Sequence, residues 1–233
     1  MSREKSEAII YKLVRYADSS AIALAFTEDF GRIKLFIPKA FTKKGGVMCF
    51  MPGLLDFGKK SSDLSKFYKF DNNTAYYHYL NNHEIIMRMH LVFELMDGLY
   101  EPEMPDKTLF DLMLKFTDKN FRKITPYILY FILKRSGVMY GLDSCSNCGS
   151  TDELYTIGDK GLFCNICADQ LGITSHCDKE SAYIIKCMSN SSLYKSITVT
   201  RKQELQVIKA LAAYSEHVLE KPFKCLNTVL GII

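Results

Sequence analysis

Two Cys-x2-Cys pairs, Cys145-Ser-Asn-Cys148 and Cys164-Asn-Ile-Cys167, stand fifteen residues apart. No other feature constrains the folding of this chain as tightly. Two thiolates on one tight turn can face a single cation, and a second such turn at this separation completes a tetrahedron of sulfur. Gly149 follows the first pair, where a knuckle turn brings backbone close to sulfur. Glu153-Leu-Tyr-Thr-Ile157 and Gly161-Leu-Phe163, with Gly158-Asp159 between them, predict a small hairpin linking the two turns. Cys145, Cys148, Cys164 and Cys167 are therefore expected to hold one structural Zn2+, against a competing reading of coincidental free thiols. Four thiolates leave no coordination position for a catalytic water. Cys49, Cys177, Cys187 and Cys225 read instead as buried small hydrophobes.

The chain has 233 residues, 48% of them hydrophobic, enough for one large core or two smaller ones. No run of about eighteen apolar residues predicts a transmembrane helix. The first residues, Met-Ser-Arg-Glu-Lys-Ser-Glu, lead into only a few apolar positions and do not read as a signal peptide. The expected compartment is the cytoplasm, with the cysteines reduced or metal-bound. The net charge is only +4 but is unevenly placed. Between residues 32 and 69 nine Lys and Arg face only Asp56 and Asp63, which points to a polyanionic partner.

Residues 1–75 read as β structure. Ala8–Arg15, Ala21–Thr27, Arg32–Ile37, Val47–Phe57 (interrupted by Pro52-Gly53) and Leu64–Phe70 are the expected strands. Five short strands with polar connections fit an OB-type Greek-key barrel, with a small β-sandwich as the other solution. Composition then shifts near Asp71-Asn-Asn-Thr74 to helical patterning. A helix is expected over Tyr76–Tyr100, another over Lys107–Phe116 capped by Asp106, and a third from Thr125-Pro126 to about Ser136. Asp178 predicts a helix to Met188, and the capping box Thr200-Arg-Lys-Gln203 one to about Leu219. The expected fold is α+β: a barrel (1–75), a helical domain in two parts (76–143 and 171–233), and a four-cysteine zinc-ribbon insertion (144–170).

Within the barrel, Arg32, Lys34, Lys39, Lys43, Lys44, Lys59 and Lys60 are the expected contacts to nucleic-acid phosphates. Phe41, in a basic loop, is the aromatic best placed to stack a base. His83 and His90 on one helix are seven residues apart, too far to grip one ion in the manner of a metalloprotease helix. No Gly-x-Ser-x-Gly or phosphate-loop frame is present. The chain is expected not to be an enzyme.

Tyr16-Ala-Asp-Ser-Ser20, then Phe26-Thr-Glu-Asp-Phe-Gly-Arg32, carry a polar turn followed by a Thr-x-x-x-Gly-basic turn. Leu109-Phe110-Asp-Leu-Met-Leu114, Leu133 to Gly137 and His217-Val-Leu-Glu-Lys-Pro-Phe-Lys224 follow in order around the cysteines. Over nearly its whole length the chain resembles the bacterial recombination mediator family RecO. Lys39 stands where that family usually has Gly, and Cys225 where Ser is common. Some relatives lack the cysteines, which makes the metal a local brace. The resemblance implies a DNA repair and recombination mediator. Such a protein binds single- and double-stranded DNA, anneals complementary strands, and acts with RecR and the acidic C-terminal tail of single-strand-binding protein to load recombinase. It works in the cytoplasm at the bacterial nucleoid, with no membrane partner. A tail ending in Phe would find apolar residues flanked by cations at Arg122, Lys123, Lys134 and Arg135. The alternative reading is a zinc-ribbon adaptor or transcription-type module acting mainly through protein partners.

Overall fold

A computed structural model of the chain describes residues 2–16, 18–41, 47–59 and 63–232. It divides into two compact units, Met1–Phe93 with Tyr100–Asp118, and Glu94–Leu99 with Lys119–Ile233.

In the first unit β1 (Ser2–Tyr16), β2 (Ser20–Thr27), β3 (Gly31–Ile37), β4 (Pro52–Lys59) and β5 (Leu64–Asn72) close a barrel in the order β1-β2-β3-β5-β4. β3 and β5 pair in parallel and the other neighbours antiparallel. This is a five-stranded Greek-key barrel of the OB type rather than a sandwich. Strict alternation on β3 sends Ile33, Leu35 and Ile37 inward and leaves Arg32, Lys34 and Phe36 outside. Ala8, Ala23 and Ala25 face the same interior, where small side chains leave room for Leu55, Phe57 and Phe70.

β1 begins earlier than its apolar run, because Ser2–Glu7 pair with β4 through polar, mostly exposed positions, of which Ser6 alone is buried. Arg3 grips Asp56 across that pair through two hydrogen bonds of 2.8 and 2.7 Å. β4 in turn starts only at Pro52, an allowed place for proline at the first residue of a strand. The segment before it turns at Phe50, whose φ is 66°.

After a 3-10 turn at Thr74–Tyr76 come α1 (Tyr77–Asn81), α2 (His83–Leu99) and α3 (Lys107–Met113). The single helix expected over 76–100 is broken at Asn82. That residue takes an extended backbone, and its side-chain oxygen accepts the Glu84 N–H at 3.0 Å, as an N-cap does. Asp106 caps α3 as expected, accepting from the Leu109 N–H at 2.9 Å. Phe93 stacks on Tyr11 at 4.2 Å and Phe110 tilts against Phe26 at 5.8 Å, so α3 and α2 as far as Phe93 share the first unit with the barrel, while Glu94–Leu99 belong to the second.

The second unit holds α4 (Phe121–Arg135), the hairpin β6 (Leu154–Gly158) and β7 (Gly161–Cys164), α5 (Asn165–Leu171), α6 (Lys179–Cys187), α7 (Ser191–Ser196), α8 (Arg201–Leu219) and α9 (Leu226–Ile232). α8 is its spine and packs on α4, α6, α9 and β6. Its N-terminus carries the predicted capping box, and Asp178 caps α6 by accepting the Ser181 N–H at 2.9 Å. α4 starts four residues before the expected Thr125-Pro126, so Pro126 lies inside the helix. Thr125 Oγ1 instead donates to the Phe121 carbonyl at 2.7 Å. α5, α7 and α9 were not expected from the sequence. Among the described residues no helix is long and apolar enough to cross a membrane.

Candidate metal centre and nucleic-acid interface

The two cysteine turns are built locally and then locked together. Gly149 donates to the Cys145 carbonyl at 2.9 Å with its φ at 75°, which closes the first knuckle. The Ser146 N–H reaches the Leu162 carbonyl at 2.7 Å and ties that knuckle to β7. Gly161 must be glycine, since its φ is 135° and a Cβ there would sit 2.3 Å from Ser146 Oγ. Cys164 ends β7 and is the N-cap of α5, its sulfur accepting from the Cys167 N–H at 3.5 Å.

The result brings all four sulfurs within 4.8 Å of one another, with Cys148 exposed and the other three buried. Cys148 Sγ and Cys164 Sγ are 3.8 Å apart. A regular tetrahedron with metal–sulfur bonds of ~2.3 Å places its sulfurs roughly 3.8 Å apart, so the donor set fits one soft cation. Burial opposes ionisation of Cys145, yet N–H groups of Cys148, Cys164 and Asn147 outweigh it and pull the thiol down to about 6. Asn147 also donates to Cys167 Sγ at 3.3 Å. The remaining cysteines behave as small hydrophobes: Cys177 and Cys187 are buried, Cys49 and Cys225 half-buried. Burial pushes Cys49 up to about 11 and Cys177 up to about 12.

The barrel's outer face shows two rows across the strands. Val14, Ile22, Phe36 and Lys66 are successive partners on β1, β2, β3 and β5, and Lys12, Leu24, Lys34 and Leu64 form the adjacent row. Tyr16, 56% exposed, meets Phe36 edge-on at 5.9 Å. At the same end Phe41 is 45% exposed, with the Arg15 guanidinium 5.1 Å above its ring. Apolar and aromatic surface is thus interleaved with cations on the strand 2–3 side of the barrel, the side OB folds use for oligonucleotides.

The expected DNA contacts fall into three groups. Lys34, in the middle of β3, and Lys39, just after it, are exposed, and Phe41 lies at the β1–β2 turn, its N–H donating to the Ser19 carbonyl at 3.3 Å. Arg32 is half-buried and donates to the Tyr100 carbonyl. Lys59 pairs with Glu103 at 3.0 Å and lies 5.3 Å over the Phe30 ring. These two cations are engaged within their own unit. Lys43, Lys44 and Lys60 lie outside the described residues. Sequence reading missed Lys12, Val14, Arg15, Tyr16 and Ile22, and counted Lys66 without placing it in the site. The sequence signal for β1 was only that Lys12, Arg15 and Tyr16 cluster at its end, outside the charge-rich span 32–69.

On α4, Arg122 lies 5.0 Å over the Phe121 ring and Lys134 lies 5.8 Å over Tyr130. Lys123 bends toward α7, donating to the carbonyls of Lys195 and Ile197 at 2.8 and 2.6 Å, and burial lowers its pKa. At a rise of 1.5 Å per residue, Arg122 and Arg135 are separated by roughly 20 Å along the helix. Arg122 and Lys123 therefore mark one end of α4, and Lys134 and Arg135 the other.

Residues 86–226 match the family described as "Recombination protein O C terminal". The chain is also 23% identical over 211 residues to the DNA repair protein RecO of Halalkalibacterium halodurans, an alignment covering 86% of this chain and 83% of that protein. The family match spans more than half of the chain and includes both cysteine turns. The chain belongs to the recombination protein O family, RecO.

Proposed function

We propose that this chain is a non-enzymatic DNA repair and recombination mediator whose barrel binds single- and double-stranded DNA. The observation that carries the reading is the outer face of β1, β2, β3 and β5, where Lys12, Lys34 and Lys66 interleave with Tyr16, Ile22 and Phe36. Lysines on such a face neutralise phosphates without reading sequence, and aromatic rings accept any base. A surface of this kind screens the charge of a strand while leaving its pairing edges free, which is what annealing complementary strands requires.

The expected partners are RecR and the acidic tail of single-strand-binding protein, through which recombinase is loaded. One tail can engage only one end of α4. At the N-terminal end Arg122 is the available cation, because the Lys123 ammonium is held by two carbonyls. The four cysteines hold one structural Zn2+ that braces the hairpin against α6 and α8, which β6 contacts. The site of action is the cytoplasm, at the nucleoid.

The test is annealing of complementary oligonucleotides, with and without single-strand-binding protein, alongside retention on an oligonucleotide column. Accelerated annealing and salt-sensitive retention are expected. A chain that neither anneals nor is retained would leave the adaptor reading instead.

A further inference from the structure

The second unit carries an open groove of about 600 Å3 lined by Tyr155, Lys179, Tyr183, Ile184 and Ile197, among others. One wall is α6, where Lys179, Tyr183 and Lys186 recur at i, i+4 and i+7 and so share a face. Facing them is Tyr155, set at the register shift of β6. The Lys179 ammonium lies 5.4 Å and the Lys186 ammonium 5.8 Å from the Tyr155 ring centroid. Two like charges converge on one ring, and among the described residues neither meets a carboxylate. Glu180, the acidic residue of the lining, is occupied by Gln203 Nε2 at 3.2 Å. Tyr183 is 49% exposed, and Ile184, also in the lining, is buried.

Two tyrosine rings on a face that carries two lysines without a carboxylate partner, with buried Ile184 in the same lining, match a ligand that alternates flat rings with anions. We propose that this groove is a second binding site for single-stranded nucleic acid. A base stacks on Tyr183, and Lys179 and Lys186 hold the phosphates on either side. The inference rests on the reading of the chain as a DNA-binding protein and adds a contact surface on the unit that lacks the barrel. An acidic peptide would satisfy the lysines but leave the tyrosine faces without a stacking partner.

The test is photo-crosslinking of the full chain to an oligonucleotide carrying 5-bromodeoxyuridine, with the adducts mapped by mass spectrometry. Adducts are expected on Tyr155 or Tyr183 as well as on barrel aromatics. In the double variant Lys179→Glu, Lys186→Glu the groove adducts should fall about ten-fold while the barrel adducts persist. Both lysines lie outside the packed core, and the unmodified chain already supplies the first readout. Adducts confined to the barrel, or groove adducts indifferent to the charge reversal, would overturn the second site alone. No adduct and no retention anywhere would overturn the barrel reading with it. A fluorescent Glu-rich peptide that binds the wild type and not the double variant, with no groove adducts to DNA, would assign the groove to protein.

Discussion

Lys39 turns the chain after β3 with its φ at 55°, a left-handed conformation that disfavours an L side chain by roughly 1–2 kcal/mol. A glycine would adopt this conformation without strain, whereas this chain places a cation in it. Lys39→Gly should relieve the strain, offset by roughly 0.5–1 kcal/mol from the freer unfolded chain. The expected result is a stability equal to or up to ~1 kcal/mol above wild type in denaturant titration. A clear loss of stability would mean that the lysine side chain, not the turn, holds this loop. Gly31 is the opposite case, with φ at 66° and a Cβ position 2.3 Å from the Met104 carbonyl oxygen. Gly31→Ala should destabilise the first unit by about 2 kcal/mol or more, because backbone has to move. An unchanged denaturation midpoint would contradict that close approach. The sequence marks Gly31 as a turn residue through its Thr-x-x-x-Gly spacing. It cannot show the approach of Met104, which depends on chain more than seventy residues away.

Cys164 is at once a ligand candidate and the N-cap of α5, and the two roles separate experimentally. Serine is a good N-cap but a poor zinc ligand. Cys164→Ser and Cys148→Ser should both abolish zinc in elemental analysis of the purified chain, with oligonucleotide retention preserved. Structural zinc binds small peptides with roughly 10–16 kcal/mol of apparent free energy, of which only part is expected as global stability here. Full zinc occupancy in either variant would remove that cysteine from the site. The cap of α6 has a pH signature. The Ser181 N–H, with Lys202 nearby, holds the Asp178 carboxyl below its usual value of about 3.9. Its stabilisation is therefore present above that value and is lost as pH falls through the depressed native one. Asp178→Asn keeps an accepting oxygen without the charge, so its thermal midpoint should trail wild type at neutral pH and meet it in acid. Parallel curves down to low pH would show that the charge contributes nothing. Caps and long amphipathic runs made α3, α6 and α8 legible in sequence. α5, α7 and α9 were not, since each is about two turns or fewer and shows no periodicity. Asn82 breaks a continuous apolar stripe by a local side-chain bond that the stripe conceals.

For the whole chain, the order of barrel, helices, cysteine hairpin and closing helices was readable because each segment has its own period or spacing. The proposed binding face was not. Charge counting found the lysines of residues 32–69, but Arg32 and Lys59 are engaged within the first unit. The rows that set Lys12, Lys34 and Lys66 beside Val14, Ile22 and Phe36 exist only once strand register pairs β1, β2, β3 and β5. Register is a property of the closed sheet, so composition alone could not supply it. The central claim is that this face holds a nucleic-acid strand through phosphates and stacked bases. Its most direct test is the salt dependence of affinity for fluorescent oligo(dT), measured for wild type, Lys34→Ala with Lys66→Ala, and Phe36→Ala. If about five phosphates are engaged, the wild-type log–log slope should be near −3.5, and the lysine pair should make it shallower by about 1.4. Phe36→Ala should weaken binding by roughly 1–3 kcal/mol with the slope unchanged. A wild-type affinity indifferent to salt, or a lysine variant with wild-type slope and affinity, would contradict the account.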